Sequence, residues 1–448
     1  MSSGADLAGV LVGIDVGTSR VKAVATDVDL TVLGEHAVPT PWKHAGATAE
    51  VDPTALAAVV LEAAVGAVRA SGQRAVAVGV TGMAETGVLL GGDGRPLAPA
   101  LAWYDPRAQI DDVRRQLGDQ LYRRTAGRAI DSVSSLTKLL WLRSNIDSAR
   151  EAVRFLSVPE WAVHILGGDQ VNELSLVSRT GFFDVPGKEP WAEALAMLDA
   201  GPDFLGEIVA AGQPVGHVDR DAPEELRGAV LTVAGHDHQT AAYALGAAVD
   251  GTLLDSLGTA EALLRTVRAP LSPESVEAMV VEGVTTGWGV VPDHLCLLAG
   301  LPTGISLERL GQLVGAPTPA QRIELGRQGL DLDRSTTAMR ISASYHGVTV
   351  HDVDDDAAPA LVWRVAVEDL TAATVHIDEV MAAEVGADRE VVVVGGWLHN
   401  PLVRALKEQQ YGSFSTGELA EPGAVGAAEL AGVAADLVAP RWAPHSAG

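Results

Sequence analysis

The chain has 448 residues, enough for two or three domains of about 150 residues each, and its 47% hydrophobic and 20% charged content is typical of a globular protein. Its formal net charge of −26 disfavours binding to nucleic acids and to anionic membrane surfaces, so we predict neither partner. The single cysteine, Cys296, excludes an internal disulfide and every metal site built from several cysteines.

The N-terminal region begins with a predicted β-hairpin. Residues 10–15 form an apolar run, a glycine-containing turn follows, and residues 21–26 alternate in character. Helical apolar spacing predicts a helix over residues 54–70, with Thr54 as its N-cap and Gly72 beyond its end. We find no signal peptide and no uncharged apolar stretch of about 20 residues, so we expect a cytoplasmic protein.

The following elements alternate between strands and helices, which is typical of an α/β protein. We predict strands at residues 75–80, 229–234, 338–343 and 391–394, and a strand–turn–strand unit over 251–265. We predict helices at residues 135–142, 160–166, 239–245 and 358–384, a helix from 401 that ends before Gly412, and a last helix from about 422. The polar segment 331–356 is otherwise predicted to be a loop.

An internal repeat divides the chain into two halves. Asp15, Gly17 and Thr18 align with Ser256, Gly258 and Thr259, and each copy lies between two apolar strands. A repeat on this scale predicts two similarly built domains, residues 1–246 and 247–448, with a cleft between them.

The two Gly-Thr turns are candidate phosphate-binding loops. A glycine lets backbone N–H groups approach a phosphate closely, and the hydroxyl of Thr18 or Thr259 adds a donor. Two such turns facing each other would grip a triphosphate, with Asp15 holding Mg²⁺. The alternative is that both turns are ordinary hairpins. The sequence lacks the common P-loop and dinucleotide-binding motifs, so neither of these can bind the nucleotide.

Asp237 is the candidate general base. It directly follows a predicted strand and lies in the first turn of a helix, where the helix dipole favours the ionised carboxylate. A carboxylate placed there can take a proton from an attacking hydroxyl, although a simple N-cap role is the alternative. His236 and His238 suggest a metal site only weakly, because their spacing places them on different helix faces.

Two further polar clusters also follow predicted strands. In the first, Trp103 can cover the face of a sugar while Glu85 and Asp105 accept its hydroxyls; core packing of Trp103 is the alternative. In the second, Gly395 and Gly396 let a flat ring such as adenine lie against the backbone, unless they form an ordinary strand-to-helix turn.

Taken in order, these motifs resemble the FGGY family of carbohydrate kinases, whose fold is shared with actin, hexokinase and the heat-shock chaperones. The resemblance covers essentially the whole chain and is carried by residues 13–22, 80–83, 136–142, 178–181, 235–237, 256–259 and 395–396. It implies an α/β protein with two ribonuclease-H-like domains around a central cleft that binds ATP, Mg²⁺ and a small-molecule sugar.

The resemblance also implies the roles of individual residues, with Asp237 as the catalytic base and Asp15 at the metal. The residues expected at the nucleotide are Asp15, Gly17, Thr18, Ser19, Lys22, Gly258, Thr259, Gly395, Gly396 and Asn400. The residues expected at the sugar are Met83, Ala84, Glu85, Trp103, Asp105, Asp237 and His238. The predicted activity is phosphorylation of a ketose such as xylulose, or of a related polyol or sugar acid.

The chain departs from the family pattern at two informative positions. Glycerol kinases carry an arginine at the position of Ala84, so we expect glycerol to be a poor substrate. Trp397 replaces the small residue that usually follows the two glycines, and it either stacks on adenine or obstructs it.

The alternative functions for the protein are a sugar or nucleotide sensor without catalysis, and an actin-like or chaperone-like ATPase. A homodimer is left open.

Overall fold

The computed structural model describes residues 9–387, 390–417 and 419–442. Over residues 9–246 the strands are β1 (Val10–Val16), β2 (Arg20–Thr26), β3 (Val32–Pro39), β4 (Lys43–Ala45), β5 (Thr48–Val51), β6 (Ala75–Gly82), β7 (Gly87–Leu90), β8 (Ala100–Leu101), β9 (Arg154–Ser157), β10 (Val171–Glu173), β11 (Phe183–Asp184), β12 (Glu189–Pro190), β13 (Glu207–Val209), β14 (Pro214–His217) and β15 (Val230–His236). The helices of the same stretch are α1 (Pro53–Ser71), α2 (Ile110–Leu117), α3 (Asp119–Ala126), α4 (Ser135–Asn145), α5 (Val158–Ile165), α6 (Leu174–Val177), α7 (Ala192–Met197) and α8 (Asp237–Ala244).

The remaining elements lie between residue 247 and residue 442. The strands are β16 (Thr252–Leu257), β17 (Glu261–Arg268), β18 (Thr285–Trp288), β19 (His294–Leu301), β20 (Arg340–Ser344), β21 (Gly347–His351), β22 (Glu390–Val394) and β23 (Ser415–Thr416). The helices are α9 (Pro273–Val281), α10 (Thr303–Leu313), α11 (Pro319–Gly329), α12 (Pro359–Val385), α13 (Pro401–Tyr411) and α14 (Pro422–Ala434).

The first large sheet has the strand order β14-β15-β6-β1-β2-β3. Strands β1, β6 and β15 are parallel, and their register places Asp15 opposite Thr81 and Thr81 opposite Gly235. The carboxyl ends of parallel strands meet at the same edge of a sheet. Asp15 and the first turn of α8, which begins at Asp237, therefore lie at one edge.

The second large sheet has the order β18-β19-β17-β16-β22-β23 and repeats the core of the first. The β16–β17 hairpin corresponds to the β1–β2 hairpin, and β22 runs parallel to β16 as β6 does to β1. The repeat differs in one detail. The first turn is closed by Val16 and Val21, whereas the second is closed by Leu257 and Glu261 and is one residue shorter.

Two local predictions were wrong. The N-cap of α1 is Asp52 rather than Thr54, because the Asp52 carboxylate accepts the N–H of Thr54 and Pro53 fits the first helical position. The predicted single strand near residues 338–343 is the first strand of a hairpin, β20–β21, whose second strand has only five residues and is only partly buried.

The last helix, α14, packs against the first sheet although it lies in the second half of the sequence. A Cβ atom on Gly13 would lie 1.8 Å from the carbonyl oxygen of Ala424, and one on Gly79 would lie 2.1 Å from that of Ala427. Glycine is therefore required in β1 and β6 for this close approach. A division between residues 246 and 247 separates the two large sheets. It assigns α14 to the second half of the chain, although α14 packs on the sheet of the first half.

Helix α1 covers the other face of the first sheet. Alternate residues of β1 point to opposite faces: Val12 and Ile14 pack in the cluster that includes α1, whereas Leu11 packs with α14. By length and composition α1 is the one described helix that could cross a membrane. Its apolar residues, such as Leu56 and Val60, are instead buried in this core.

Candidate active site

A cavity of about 270 Å³ lies between the two halves of the chain. Its walls from the first half are Thr18, Met83, Ala84, Glu85, Trp103, Val133, Arg179, His236, Asp237 and His238. Its walls from the second half are Ala260, Glu261, Ala262, Gly283, Thr285, Leu298, Gly300 and Tyr345. The structure thus brings together the predicted base and all the predicted sugar-binding residues except Asp105.

Asp237 is the first residue of α8 and is partly exposed in this cavity. Its Oδ1 accepts the backbone N–H of His238 at 2.7 Å and lies 3.2 Å from Nε2 of His236. Burial lowers the pKa of His236 to about 4, and Asp237 opposes this shift only in part. His236 is therefore neutral at physiological pH. Within the described residues Oδ2 of Asp237 has no hydrogen-bond partner, so it is left for a substrate.

Asp15 lies at the end of β1, where its Oδ1 is buried and has no hydrogen-bond partner in the part of the chain that the structure describes. Burial and the charge of Asp237 raise its pKa to about 8, although Lys22 opposes the rise. Lys22 is held by Glu421, with Nζ and Oε2 at 2.6 Å. An unpartnered buried carboxylate beside a second carboxylate is an environment that a cation would stabilise.

The donor set fits Mg²⁺ rather than a metal enclosed by protein. Among residues 9–387, 390–417 and 419–442, no group of three or more His, Cys, Asp or Glu side chains could hold a metal ion. This result does not support a histidine metal site at His236 and His238. Mg²⁺ is usually bound through one or two carboxylates together with water and substrate phosphates, which matches Asp15.

Glu85 is a buried carboxylate held between two arginines. Its Oε1 lies 2.7 Å from Nη2 of Arg179 and 3.5 Å from Nη1 of Arg128. Burial would favour the neutral acid, but the two guanidinium groups overcome it and lower the pKa of Glu85 to about 2. These contacts go to Oε1, and no described residue donates to Oε2, which is therefore left as an acceptor for substrate hydroxyls.

Trp103 connects the sugar side of the cavity to the first Gly-Thr turn. Its indole Nε1 donates to Oγ1 of Thr18 at 3.0 Å, and its ring meets Tyr104 edge-on. Asp105 lies outside the cavity and is fully buried. Its carboxylate accepts the N–H of Ala49 at 2.7 Å and pairs with Arg107 at 2.8 Å, so it braces the loop behind Trp103 instead of facing a sugar.

The first Gly-Thr turn places its backbone close to the cleft. The N–H of Gly17 donates to the carbonyl of Arg20, and the carbonyl of Gly17 accepts from Thr40. Ser19 is exposed, and the carbonyl of Thr18 accepts the indole N–H of Trp42. These hydrogen bonds fix the backbone of the turn at Gly17 and Thr18.

A second cavity of about 440 Å³ begins at the second Gly-Thr turn. It is lined by Leu257, Gly258, Thr259, Gly304, Glu308, Pro319, Arg322, Ile323, Gly396, Trp397, His399 and Asn400. The Trp397 ring lies 6.2 Å from the ring of Trp363, and the guanidinium of Arg322 lies 5.5 Å from its centroid. Trp397 is thus a fixed, flat wall of the cavity predicted for adenine.

Gly395 and Asn400 support this wall from behind. Gly395 has φ of 113° and lies against the backbone of Leu257, where a Cβ atom would meet the carbonyl oxygen at 2.2 Å. Asn400 is buried as the N-cap of α13: Oδ1 accepts the N–H groups of Leu402 and Val403, and Nδ2 donates to the carbonyl of Arg322. Its polar atoms are occupied, so it shapes the cavity rather than offering a free group.

A buried ion cluster lies behind the second turn. Nζ of Lys407 lies 2.7 Å from Asp255 and 2.6 Å from Glu261, and Thr303 and Thr374 also donate to Glu261. Burial and the charge of Glu261 raise the pKa of Asp255 to about 7, against the effect of Lys407. The cluster ties the hairpin β16–β17 to α10, α12 and α13.

Sequence reasoning missed several residues of the site. Arg128, Arg179, Glu261, Thr285 and Tyr345 come from separate elements, and no local pattern connects them. Arg179 lay within a motif of the family resemblance, but without a role. Its guanidinium also donates to Oγ1 of Thr285 at 3.2 Å, which joins the two halves across the cavity.

Comparisons with known proteins agree on one family. The sequence profile described as "FGGY family of carbohydrate kinases, N-terminal domain" matches residues 10–244. The chain is 28% identical over 459 residues to the glycerol kinase of Aromatoleum aromaticum, which covers 94% of this chain and 89% of the relative.

Solved structures of low sequence identity share the fold. A xylulose kinase from Rhodospirillum rubrum has a TM-score of 0.85 at 18% identity, and the match covers 95% of this chain and 90% of the kinase chain. A gluconate kinase from Lactobacillus acidophilus has a TM-score of 0.85 at 17% identity and covers 96% and 90%. The predicted α/β fold with two ribonuclease-H-like domains is confirmed.

Proposed function

The chain belongs to the FGGY family of carbohydrate kinases, and we propose that it transfers the γ-phosphoryl group of ATP to a hydroxyl of a ketose, a related polyol or a sugar acid. ATP-dependent phosphoryl transfer to a carbohydrate follows from the family. The substrate within this class and the roles of individual residues form the proposal.

The position of Asp237 supports this function most directly. Its carboxylate lines the same cavity as Glu85 and Trp103, and no residue that the structure describes donates a hydrogen bond to Oδ2. In the proposed step Oδ2 takes the proton of the substrate hydroxyl as the hydroxyl oxygen bonds to the γ-phosphorus. The bond between this phosphorus and the β–γ bridging oxygen breaks, and ADP leaves with that oxygen.

The two Gly-Thr turns would position the triphosphate for this transfer. Thr18 lines the cavity of the base, whereas Gly258 and Thr259 line the second cavity, so the phosphates would run from one to the other. Asp15 would hold Mg²⁺, which supplies positive charge to the phosphate oxygens when it is bound. Adenine would lie against Gly396 and Trp397.

The cavity itself favours a neutral or hydroxyl-rich substrate. The pKa of Glu85 is about 2, so its carboxylate is ionised near neutral pH and Oε2 can accept hydroxyl groups. Ala84 offers only a methyl group, whereas glycerol kinases carry an arginine there, so we expect a substrate larger than glycerol. A sensor without catalysis has no support, because the relatives are kinases and Asp237 lines the cavity.

The test is ADP release from Mg²⁺–ATP with D-xylulose, other pentuloses and hexuloses, polyols including glycerol, and D-gluconate. We expect one strong substrate. The kcat of Asp237→Asn should be lower by roughly 10²–10⁴-fold, the range typical of a general base. Asp29→Asn changes an exposed carboxylate and serves as the matched control.

Three outcomes contradict the proposal in different ways. If no carbohydrate stimulates ADP release, the chain is not the kinase proposed. If Asp237→Asn works as fast as wild type, Asp237 is only a helix cap. If glycerol is the best substrate, the argument from Ala84 is wrong.

A further inference from the structure

The substrate cavity contains a phenol that the proposed mechanism does not use. Tyr345 lies at the turn of the β20–β21 hairpin and lines the cavity from the second half of the chain. Its hydroxyl lies against Gly300 of β19, 3.0 Å from the position of a Cβ atom on that glycine. Within the described residues this hydroxyl has no hydrogen-bond partner, and the side chain is 45% exposed.

Hydrogen bonds and packing hold the backbone around Tyr345 in place. The guanidinium of Arg309 in α10 donates to the carbonyl oxygens of Ser344 and Tyr345, at 3.4 and 2.9 Å. The N–H of Ile341 donates to Asp369 of α12 at 2.7 Å, and the Ile341 side chain is buried. A rigid hairpin therefore presents an unpartnered phenol to the cavity.

The surroundings of the Tyr345 phenol favour its protonated form. Burial and the negative charge of Glu261 raise the pKa of Tyr345 above its usual value. A phenol that stays protonated is a hydrogen-bond donor, and its ring is an apolar cover for one side of the cavity. Asp237 and Glu85, on the opposite wall, accept hydrogen bonds but do not donate them.

We propose that Tyr345 closes the sugar cavity from the second half, donates a hydrogen bond to a substrate oxygen and keeps water away from Asp237. This inference rests on the proposed kinase function. Tyr345 belongs to the second half, whereas Asp237 and Glu85 belong to the first, so this contact completes the cavity only when both halves contribute. A water molecule that replaced the sugar at Asp237 would lead to wasteful hydrolysis of ATP.

The hairpin is anchored on α10, which also reaches the nucleotide cavity. Gly304 and Glu308 of α10 line that cavity, and Arg309 follows directly. A change that disturbed α10 would therefore alter the KM for ATP. A change at the Tyr345 side chain alone should alter the KM for the sugar and leave the KM for ATP unchanged.

The experiment measures kcat, both KM values and the ATP hydrolysed per sugar phosphorylated, with D-xylulose, D-gluconate and glycerol as sugars. Tyr345→Phe removes only the donor, and we expect a roughly 3–10-fold higher sugar KM with normal coupling. Tyr345→Ala also removes the ring, and we expect a further rise in KM and at least about tenfold more ATP hydrolysis without sugar. His346→Ala changes the exposed neighbour in the same turn and should behave as wild type.

The outcomes separate this inference from the kinase assignment. If wild type phosphorylates a sugar and both Tyr345 variants keep its KM and coupling, the role of Tyr345 is refuted and the kinase stands. If Tyr345→Ala and His346→Ala change the parameters equally, or if the KM for ATP rises with the sugar KM, the hairpin has a structural role only. If wild type phosphorylates none of these three compounds, the same measurements are made with the best substrate of the full panel. If no carbohydrate of that panel is phosphorylated, both proposals fall.

Discussion

Asp15→Asn should stabilise the free protein while it removes the proposed metal ligand. The Oδ1 atom of Asp15 is buried and has no hydrogen-bond partner among the described residues, and the negative charge of Asp237 acts on it. Asparagine has nearly the same shape and carries no charge. The substitution therefore relieves an electrostatic cost that the wild-type protein bears in the absence of a cation.

The size of the effect follows from the pKa. The pKa of Asp15 rises from 3.8 to about 8, and each pKa unit corresponds to about 1.4 kcal/mol. At pH 7 the full rise, which already includes the opposing charge of Lys22, would amount to about 4 kcal/mol. Solvent in the cleft screens this cost, so we expect a gain of about 2 kcal/mol.

The pH dependence gives the sign of the effect. An acid with a raised pKa binds more protons in the folded state than in the unfolded state, so stability decreases as the pH rises. The wild-type protein is then free of the cost below the unfolded pKa near 3.8 and bears all of it above about 8. The difference between Asp15→Asn and wild type should widen between pH 5.5 and 8.5.

Urea denaturation in EDTA, followed by circular dichroism at these two pH values, measures the difference. Asp29→Asn, at an exposed site just after β2, controls for the loss of one negative charge from a very acidic protein. An Asp15→Asn protein less stable than wild type, or a difference that stays constant with pH, would refute the electrostatic argument.

The other predictions concern the two cavities. Trp397→Ala should raise the KM for ATP roughly tenfold if the ring stacks on adenine, since stacking on a base is worth about 1–3 kcal/mol, and it should leave the sugar KM unchanged. A lower KM for ATP would show that Trp397 obstructs the nucleotide. Glu85→Gln should raise the sugar KM and cost about 3–5 kcal/mol of stability, because Arg128 and Arg179 would keep their buried charges without this partner. Thermal melting and steady-state kinetics measure both effects, and an unchanged melting temperature would contradict the ion-pair argument.

The fold was predictable from the sequence to a greater extent than the site. Both Gly-Thr hairpins and the first turn of α8 were predicted because each is a local pattern in which an apolar strand ends in a turn. Tyr345 and Arg179 were not assigned roles, since their place in the cavity depends on which distant elements meet. Asp105 was misplaced for the same reason: its distance from Trp103 in the sequence says nothing about which side of the loop it faces.

The position of α14 has a consequence for how the chain is made. Gly13 and Gly79 lie in β1 and β6, whereas the helix that packs on them begins only at Pro422. One face of the sheet that carries Asp15 and α8 therefore stays uncovered until residues 422–434 have been synthesised. A chain that stopped before residue 422 would contain every predicted site residue and still lack the support that holds Asp15 and Asp237 in place.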